Sequence, residues 1–126
     1  MTYLLDTSAL IRWLDGGSQL KTTTRALIQD RTHTILVSDV SWWEIAVKNR
    51  SGKLALDLDE GKRVSDEAGL TPLALASAHI ARVLALPMHH KDPFDHLLIA
   101  QSAVERVPII TSDRAFADYP VEVISA

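Results

Sequence analysis

The sequence predicts an α/β fold, specifically a three-layer α/β/α sandwich with a mainly parallel central sheet. This prediction rests on how apolar and helical segments follow one another along the chain. Short apolar runs alternate along the chain with longer segments of helical periodicity, and strands that are separated by helices usually form a parallel sheet covered on both faces. The length of 126 residues suits one domain with a sizeable core. We therefore expect residues 1–126 to form a single domain.

The first part of the chain contains two predicted strands and three predicted helices. The apolar run TYLL (2–5) predicts a strand, and TSALIRWL (7–14) predicts a short helix that the following glycine pair ends. A second helix is expected over residues 18–30, and the run HTILV (33–37) predicts the next strand. The segment SDVSWWEIAVKNRSGKL begins a third helix, capped by the serine or aspartate at its start. The side chains expected to face inward from the second helix are Leu20, Ala26, Leu27 and Ile28.

The middle of the chain predicts a polar helix, an edge strand and a further helix. The segment DLDEGKRVSDEAG (57–69) is polar throughout, and the glycine at its end marks where the helix stops. LTPLAL (70–75) predicts a short edge strand, because Pro72 has no backbone N–H to donate inside a sheet. SAHIARVLAL (77–86) predicts a helix that ends before Pro87.

The last part of the chain opens with the stretch HHKDPFDHLLIAQSA. Its Asp-Pro pair predicts the start of a helix over residues 92–105, because an N-cap aspartate followed by proline at the first helical position is a common helix start. VPIIT (107–111) predicts a strand, SDRAFADY a helical turn, and VEVIS (121–125) the last strand.

The composition excludes several classes of protein. Without cysteine, the chain has no disulfide, no thiolate metal site and no cysteine nucleophile. The N-terminal stretch lacks a basic region and no segment reaches the ~20 apolar residues that span a bilayer, so we expect a cytoplasmic protein without a membrane partner. The net charge of −3 argues against a purely electrostatic nucleic-acid binder. Setting four acids aside as metal ligands leaves 12 against 13 basic residues, so RNA or DNA stays open as a partner.

Acidic residues lie at or near the start of several predicted helices. Three strand-to-helix junctions, YLLDTSAL, ILVSDVSWWE and IITSDRAF, fall at the carboxyl edge of a parallel sheet, where open α/β sheets bind ligands. Asp6 and Asp113 occupy the first and third junctions, and Glu44 lies within the helix after the second, on a face that it shares with valines. Asp95 lies in the first turn of the 92–105 helix. We expect these four carboxylates to converge at one end of the sheet.

Four carboxylates at such short range repel one another, and some stay protonated unless cations separate them. A donor set made of oxygen alone suits a hard cation such as Mg²⁺ or Mn²⁺. Such ions polarise a phosphate oxygen and activate water as a nucleophile. The residues therefore predict metal-assisted hydrolysis of a phosphodiester.

The motifs LLDTSAL, SWWEIAVK, DPFDHLLIAQSA and IITSDRAF resemble, in order and spacing, the four acidic motifs of PIN-domain nucleases, and most of all the VapC-type toxins of bacterial toxin–antitoxin pairs. The resemblance runs from about Tyr3 to Ile124. It implies a single PIN-like nuclease domain, Mg²⁺- or Mn²⁺-dependent cleavage of RNA, a homodimer, and neutralisation by a cognate antitoxin. We expect Ile11, Trp13 and Leu14 to be exposed on a short helix beside the charged cleft and to offer a groove to an amphipathic helix of that antitoxin.

Carried over residue by residue, the resemblance makes Asp6, Glu44, Asp95 and Asp113 the metal-binding and catalytic acids, with Asp92 as an accessory metal ligand. The sequence departs from relatives that carry arginine directly after the second aspartate of DPFD, because His96 stands there. The candidate polar supports of the acids are Thr7, Ser8, Thr111 and Ser112.

Each acid also has an ordinary structural explanation. Asp6, Asp92 and Asp113 could cap the helices that follow them, Asp95 favours the positive end of its helix, and Glu44 could pair with a lysine four positions on. Other residues leave similar alternatives open. The histidines show no metal-binding spacing and are interpreted as RNA contacts or as residues without a role. One residue of the Trp42–Trp43 pair is expected in the core or an interface, since neighbours point about 100° apart on a helix. The basic residues interpreted either as a phosphate-binding rim or as a solvated surface are Arg12, Lys48, Arg50, Lys53 and Arg114.

Two other functions compete with nuclease activity. A receiver-type signalling domain has a similar length and a phosphoacceptor aspartate after a strand, but it needs an adjacent acidic pair and a lysine after a later strand, which the segments around Asp6 and VPIITSDRAF lack. A PIN-like module that binds RNA or a partner without cutting keeps the fold and lacks a complete set of acids. The four intact acids favour the nuclease.

Overall fold

Five parallel strands form the centre of the protein. The computed structural model describes residues 1–126, and its strands follow the order β3-β2-β1-β4-β5 across the sheet, with every neighbouring pair parallel. Helices cover both faces, so the predicted three-layer α/β/α fold is confirmed. The strands are β1 (Thr2–Leu5), β2 (Thr34–Ser38), β3 (Thr71–Leu73), β4 (Ile109–Thr111) and β5 (Val123–Ser125).

Six α-helices and two short 3₁₀ helices connect the strands. No helix is long and apolar enough to span a bilayer. The 3₁₀ helices lie at Val83–Ala85 and Arg114–Asp118. The α-helices are α1 (Thr7–Leu14), α2 (Thr22–Gln29), α3 (Asp39–Arg50), α4 (Leu58–Glu67), α5 (Ser77–Arg82) and α6 (Pro93–Glu105).

The second predicted helix starts later than expected, and one of its inward residues was predicted wrongly. Because α2 begins at Thr22, Thr24 and Ile28 lie four positions apart on its buried face, and Ala26, two positions from each, is exposed. Leu20 is buried as expected, but it packs from the turn before the helix. The helix predicted over 77–86 also divides, since its last turn is the first 3₁₀ helix.

Strand β1 contributes to the cores on both faces of the sheet. Its Leu5 packs in a cluster with residues of α1, α2 and α3, and its Leu4 packs on the other face with Leu98 of α6 and Phe116 of the second 3₁₀ helix. This division follows from the alternation of side chains along a strand. The helices are therefore held rigidly against the strand whose carboxyl end carries Asp6.

The strand order places a switch point beside β1. The chain extends the sheet from β1 through β2 to β3, and then returns to the other side of β1 with β4 and β5. Open α/β sheets bind ligands in the crevice outside the carboxyl ends of their strands at such a point. In this protein the crevice lies between the end of β1 and the end of β4.

Candidate metal centre at the carboxyl edge of the sheet

All five acids that the sequence analysis selected line one cleft at this edge. The cleft has a volume of about 180 Å³. Only one of its lining residues is hydrophobic and one is a cation, so carboxylates dominate its surface. The lining residues are Asp6, Thr7, Ser8, Ile11, Glu44, Lys48, Asp92, Asp95 and Asp113.

Asp6 is fixed by hydrogen bonds from two directions. It is the N-cap of α1, where its Oδ1 accepts from the backbone N–H of Ala9 at 2.8 Å, and its Oδ2 accepts from the hydroxyl of Thr111 at 2.5 Å. Thr111 ends β4, the strand that pairs with β1. Asp6 is only 3% exposed, and this burial raises the pKa of its carboxyl group above the ordinary value. The aspartate therefore caps its helix and also presents a carboxylate to the cleft.

Asp113 lies two residues beyond the end of β4 and is linked to Asp6 through the same threonine. Its backbone N–H donates to the Thr111 hydroxyl oxygen at 3.0 Å, while its carboxylate accepts from the backbone N–H of Ala115 at 2.9 Å. The hydroxyl of Thr111 thus ties together the loops that follow two neighbouring strands. Unlike Asp6, Asp113 is exposed, so its carboxylate contributes charge on the open side of the cleft.

Glu44 is a buried carboxylate that is only half satisfied. Its side chain is 5% exposed, and its Oε2 accepts from the ammonium of Lys48 at 2.6 Å, which is the i,i+4 pair expected on a helix. Its Oε1 is buried and has no hydrogen-bond partner. A buried unpaired carboxylate oxygen is costly, so it is a specific indication that something else binds there.

Asp92 and Asp95 lie one turn apart at the start of α6 and have different surroundings. Asp92 is the N-cap, and its Oδ1 accepts from the backbone N–H groups of Phe94 and Asp95 at 2.9 and 3.3 Å, as predicted for a capping residue. The carboxyl group of Asp95 receives no such donor. Its burial, together with the charges of Asp92 and Glu44, raises its pKa to about 8. In the protein without cations, Asp95 is therefore largely protonated at neutral pH.

The chemistry of the cleft fits a divalent cation. The donors are carboxylate oxygens, which Mg²⁺ and Mn²⁺ prefer. A cation would satisfy the free Oε1 of Glu44 and would favour the ionised form of Asp95. The residues that could hold it are Asp6, Glu44, Asp95 and Asp113, with Asp92 beside them.

The predicted polar supports divide into three groups. Thr111 and Ser8 contact Asp6, the serine hydroxyl lying 3.2 Å from both carboxylate oxygens. Thr7 lines the cleft but donates to the hydroxyl of Ser41 at 3.0 Å, which joins α1 to α3. Ser112 is exposed and its side chain makes no hydrogen bond to the acids, so it does not support them.

Two histidines lie differently from what the sequence predicted: His90, which was set aside with the other histidines as a metal ligand, and His96. His96 is buried and its Nε2 donates to the backbone carbonyl of His90 at 2.7 Å, so it cannot contact RNA at the surface. The Nε2 of His90 lies 3.5 Å from Oδ2 of Asp95, and ligand atoms of His90, Asp95 and Asp113 lie within 4.8 Å of one another. The only available signal was the nearness of His90 to the DPFD motif, which does not reveal where the loop directs the imidazole.

The tryptophan pair divides as expected. Trp42 is buried in the core, whereas Trp43 is 53% exposed and its ring packs edge-on against Phe94 with centroids 4.9 Å apart. Of the predicted basic rim, Lys48 lines the cleft and contacts an acid. Arg50 and Lys53 are exposed and form no salt bridge, which agrees with a solvated surface.

A cleft of carboxylates at the switch point of a parallel five-stranded sheet defines an α/β/α domain with an acidic ligand site. The family model of the PIN domain matches residues 3–122, and the chain belongs to the PIN domain family. Over 61 residues the chain is 41% identical to the "Ribonuclease VapC16" of Mycobacterium tuberculosis (strain ATCC 25618 / H37Rv). That match covers 46% of this chain and 43% of the relative, so it spans less than half of either protein.

Several solved structures share the fold along the whole chain. VapBC2 from Rickettsia felis, bound to a DNA fragment from its promoter, gives a TM-score of 0.76 at 13% identity and covers 100% of this chain and 99% of the other. DNA-bound VapBC from Salmonella typhimurium gives 0.69 at 13% identity, covering 99% and 98%. VapBC-5 from Mycobacterium tuberculosis, a member of the VapBC family of toxin–antitoxin systems, gives 0.61 at 19% identity, covering 98% and 96%. These similarities establish the fold.

Proposed function

We propose that the protein is a Mg²⁺- or Mn²⁺-dependent endoribonuclease that acts as the toxin of a toxin–antitoxin pair. The observation that carries the proposal is the buried, unpaired Oε1 of Glu44 in a cleft where Asp6, Asp92, Asp95 and Asp113 converge. Membership of the PIN domain family and the similarity to a ribonuclease support it. Asp6, Glu44, Asp95 and Asp113 are the proposed cation ligands, and Asp92 is an accessory acid.

A divalent cation in this cleft supplies Lewis-acid stabilisation of phosphate charge and an activated water. The residues of the chain supply orientation. Thr111 and Ser8 fix the carboxylate of Asp6, while the N-cap geometry of Asp92 holds the first turn of α6 in place. The cleft contains no histidine, and its one lysine is paired with Glu44, so we assign the acids as ligands and leave the activation of water to the cation.

Lys48 provides the positive charge that the metal-free cleft needs. Its hydrogen bond to Glu44 raises the pKa of the lysine, so it stays protonated. Its side chain is 42% exposed and that of Glu44 is 5% exposed, so the ammonium lies between the buried carboxylate and solvent. Lys48 is the one cation that lines the cleft, so its ammonium is the group there that could attract an RNA phosphate. We therefore assign Lys48 to substrate binding and place it in competition with cations for Glu44.

Replacing Lys48 with methionine should separate these two roles. Without the ammonium the cleft repels cations less, so we expect Mn²⁺ to bind about threefold to tenfold more tightly by calorimetry. RNA should bind more weakly because a phosphate contact is lost, which would raise KM for cleavage. Lys53→Met is the matched control, since Lys53 is exposed and outside the cleft. Equal Mn²⁺ affinity in Lys48→Met and the parent would contradict the assignment.

The nuclease proposal is tested by incubating the purified protein with total cellular RNA. We expect cleavage with Mg²⁺ or Mn²⁺, no cleavage with EDTA, and recovery when the cation is restored in excess. Attack of water on phosphorus with departure of the 3′-oxygen should leave 5′-phosphate and 3′-hydroxyl ends, which mapping of the products would detect. A protein that binds RNA equally with and without EDTA and leaves it intact would instead be the non-cutting PIN-like module.

A groove beside the cleft supports an antitoxin as partner. It has a volume of about 400 Å³ and lies between α1 and α4, where Gly61 allows close approach, since a Cβ there would lie 3.3–3.4 Å from three side chains. Its apolar floor includes Ile11 and Leu14, as expected, but not Trp13, and all three are half-buried rather than exposed. Acidic residues flank the floor, which suits an amphipathic helix with basic residues. Ile11 also lines the acidic cleft, so a basic side chain of a helix in the groove could reach the acids.

The groove assignment predicts that Ala55→Lys weakens antitoxin binding. Ala55 is exposed and lines the groove, so the change should leave the fold and RNA cleavage intact while placing a positive charge on the apolar floor, where it would repel a basic helix. With the small protein encoded beside this one as the probe, we expect at least a tenfold rise in Kd. Ala26→Lys, an exposed alanine of α2, is the control. Unchanged binding by Ala55→Lys would remove the groove from the proposal.

A homodimer and a cytoplasmic location complete the proposal. Large apolar side chains are exposed outside the groove on α3, α5 and the following segment, and such side chains are typical of a surface that another protein covers. A second copy of the chain is the proposed occupant, and sedimentation should then give twice the mass of 13.9 kDa. A cytoplasmic location is proposed because the proposed substrate is RNA. The exposed side chains are Trp43, Ile80, Leu84 and Met88.

A further inference from the structure

The loop before α6 is anchored by one buried tyrosine. The hydroxyl oxygen of Tyr119 accepts from the backbone N–H groups of His89 and His90 at 3.1 and 3.3 Å. Tyr119 is only 4% exposed and directly follows the second 3₁₀ helix. The hydroxyl therefore ties the loop that leads into α6 to the segment that follows β4.

The same hydroxyl determines which nitrogen of His90 carries the proton. The Nε2 of His96 donates to the carbonyl oxygen of His90 at 2.7 Å, because a carbonyl can only accept. That nitrogen cannot then accept from Tyr119. The oxygen of Tyr119 already receives two N–H groups, so its hydrogen goes to Nδ1 of His90, 3.0 Å away. With Nδ1 as an acceptor, the neutral imidazole of His90 carries its proton on Nε2.

This Nε2–H group lies beside one acid of the cleft. Nε2 of His90 is buried and without a hydrogen-bond partner, and it lies 3.5 Å from Oδ2 of Asp95. In the entire chain, only two buried side-chain polar atoms lack a partner, this nitrogen and Oε1 of Glu44. One of these atoms is a donor beside Asp95, and the other is an acceptor on Glu44, an acid of the same cleft.

We propose that His90 is a positioning residue that donates its Nε2–H to Asp95 and orients that carboxylate for cation binding, with Tyr119 holding the imidazole in the required tautomer. The inference rests on the proposed function, because it concerns how a proposed ligand is held. Carboxylate ligands of metals are commonly hydrogen-bonded by a second residue, and loss of such a residue weakens metal binding about 10-fold to 100-fold. His90 supplies to Asp95 what Thr111 supplies to Asp6.

The test is Mn²⁺ affinity by calorimetry, with thermal melts in EDTA to verify folding. We expect His90→Leu to bind Mn²⁺ about 10-fold to 100-fold more weakly than the parent, and His90→Gln, whose amide can still donate, to recover most of the loss. Tyr119→Phe keeps the ring but no longer fixes the tautomer of His90. Its Mn²⁺ affinity should fall between those of the parent and of His90→Leu. His89→Leu is the control, since His89 is exposed and its ring only packs against Tyr119.

Two results would overturn the inference. The first is parent-like Mn²⁺ affinity in a folded His90→Leu protein while Asp95→Asn loses binding, which would leave the proposed metal site intact and remove His90 from it. The second is a ¹⁴N coupling in the spin-echo spectrum of bound Mn²⁺ that disappears in His90→Leu, which would make His90 a direct ligand. If Asp95→Asn also binds Mn²⁺ normally, the proposed function itself fails.

Discussion

The Asp95→Asn protein is expected to cleave RNA at least about 100-fold more slowly than the parent. Removing a residue that only hydrogen-bonds to a metal ligand already lowers activity by up to about 100-fold, and Asp95 is a proposed ligand itself. In EDTA the same protein should melt at a higher temperature than the parent. Burial and the neighbouring charges of Asp92 and Glu44 disfavour the ionised form of Asp95, and a neutral amide of the same shape removes that cost. A gain on the order of 2 kcal/mol corresponds to about 5–10 °C in Tm. Activity and metal-free stability should therefore change in opposite directions.

Asp92→Asn is the matched control for this variant. Asparagine caps a helix about as well as aspartate, so α6 should keep its start. Because Asp92 is proposed as an accessory acid, Asp92→Asn should lower Mn²⁺ affinity far less than Asp95→Asn does. If both variants lose Mn²⁺ binding equally, both residues are ligands. If a folded Asp95→Asn protein cleaves RNA at nearly the parental rate, Asp95 is not a ligand and the assignment of the site is wrong.

The metal-free protein should become less stable as the pH rises from about 4 to about 8. The carboxyl group of Asp95 has a pKa of about 8 in the folded protein against an ordinary value of 3.8, so the folded state binds its proton more tightly than the unfolded state does. The stability that this proton contributes is fully present below the unfolded-state pKa of 3.8. It is lost as the pH rises toward the folded-state pKa of about 8. Asp6, whose pKa is also raised by burial, acts in the same direction. The loss should be on the order of 2 kcal/mol.

Thermal melts in EDTA at a series of pH values measure this loss. Asp95→Asn should reduce the slope, because it removes a carboxyl group whose pKa is raised to about 8. Saturating Mn²⁺ should reverse the slope, since the cation binds the deprotonated carboxylates and binds them better as the pH rises. A metal-free protein whose Tm is independent of pH in this range would show that the acids do not disturb one another.

The sequence alone predicts which acids matter better than it predicts how they are held. Asp6 and Asp113 follow strands, and in any parallel sheet such residues reach the carboxyl edge. That Asp6 shares Thr111 with the backbone of Asp113 depends on β1 pairing with β4, a contact between residues 105 positions apart. Alternation of strands and helices does not determine strand order, so this bond was beyond the sequence analysis.

Local pairs were easier to predict than side chains carried by loops. The contact between Glu44 and Lys48 follows from helical spacing, and it was among the alternatives considered for Glu44. His90 had no such periodicity. Its position depends on Tyr119, which lies 29 residues further along the chain and contacts both His90 and the preceding backbone. Ala26 shows the opposite case, a helical pattern read in the wrong register because the start of α2 carries no side-chain cap.

Anomalous diffraction from crystals grown with Mn²⁺ tests most directly whether these carboxylates bind a divalent cation. We predict a manganese peak in the cleft with Asp6, Glu44, Asp95 and Asp113 as ligands, and Lys48 displaced from Glu44. An empty cleft at a Mn²⁺ concentration that supports RNA cleavage, or manganese bound only elsewhere on the protein, would contradict the account.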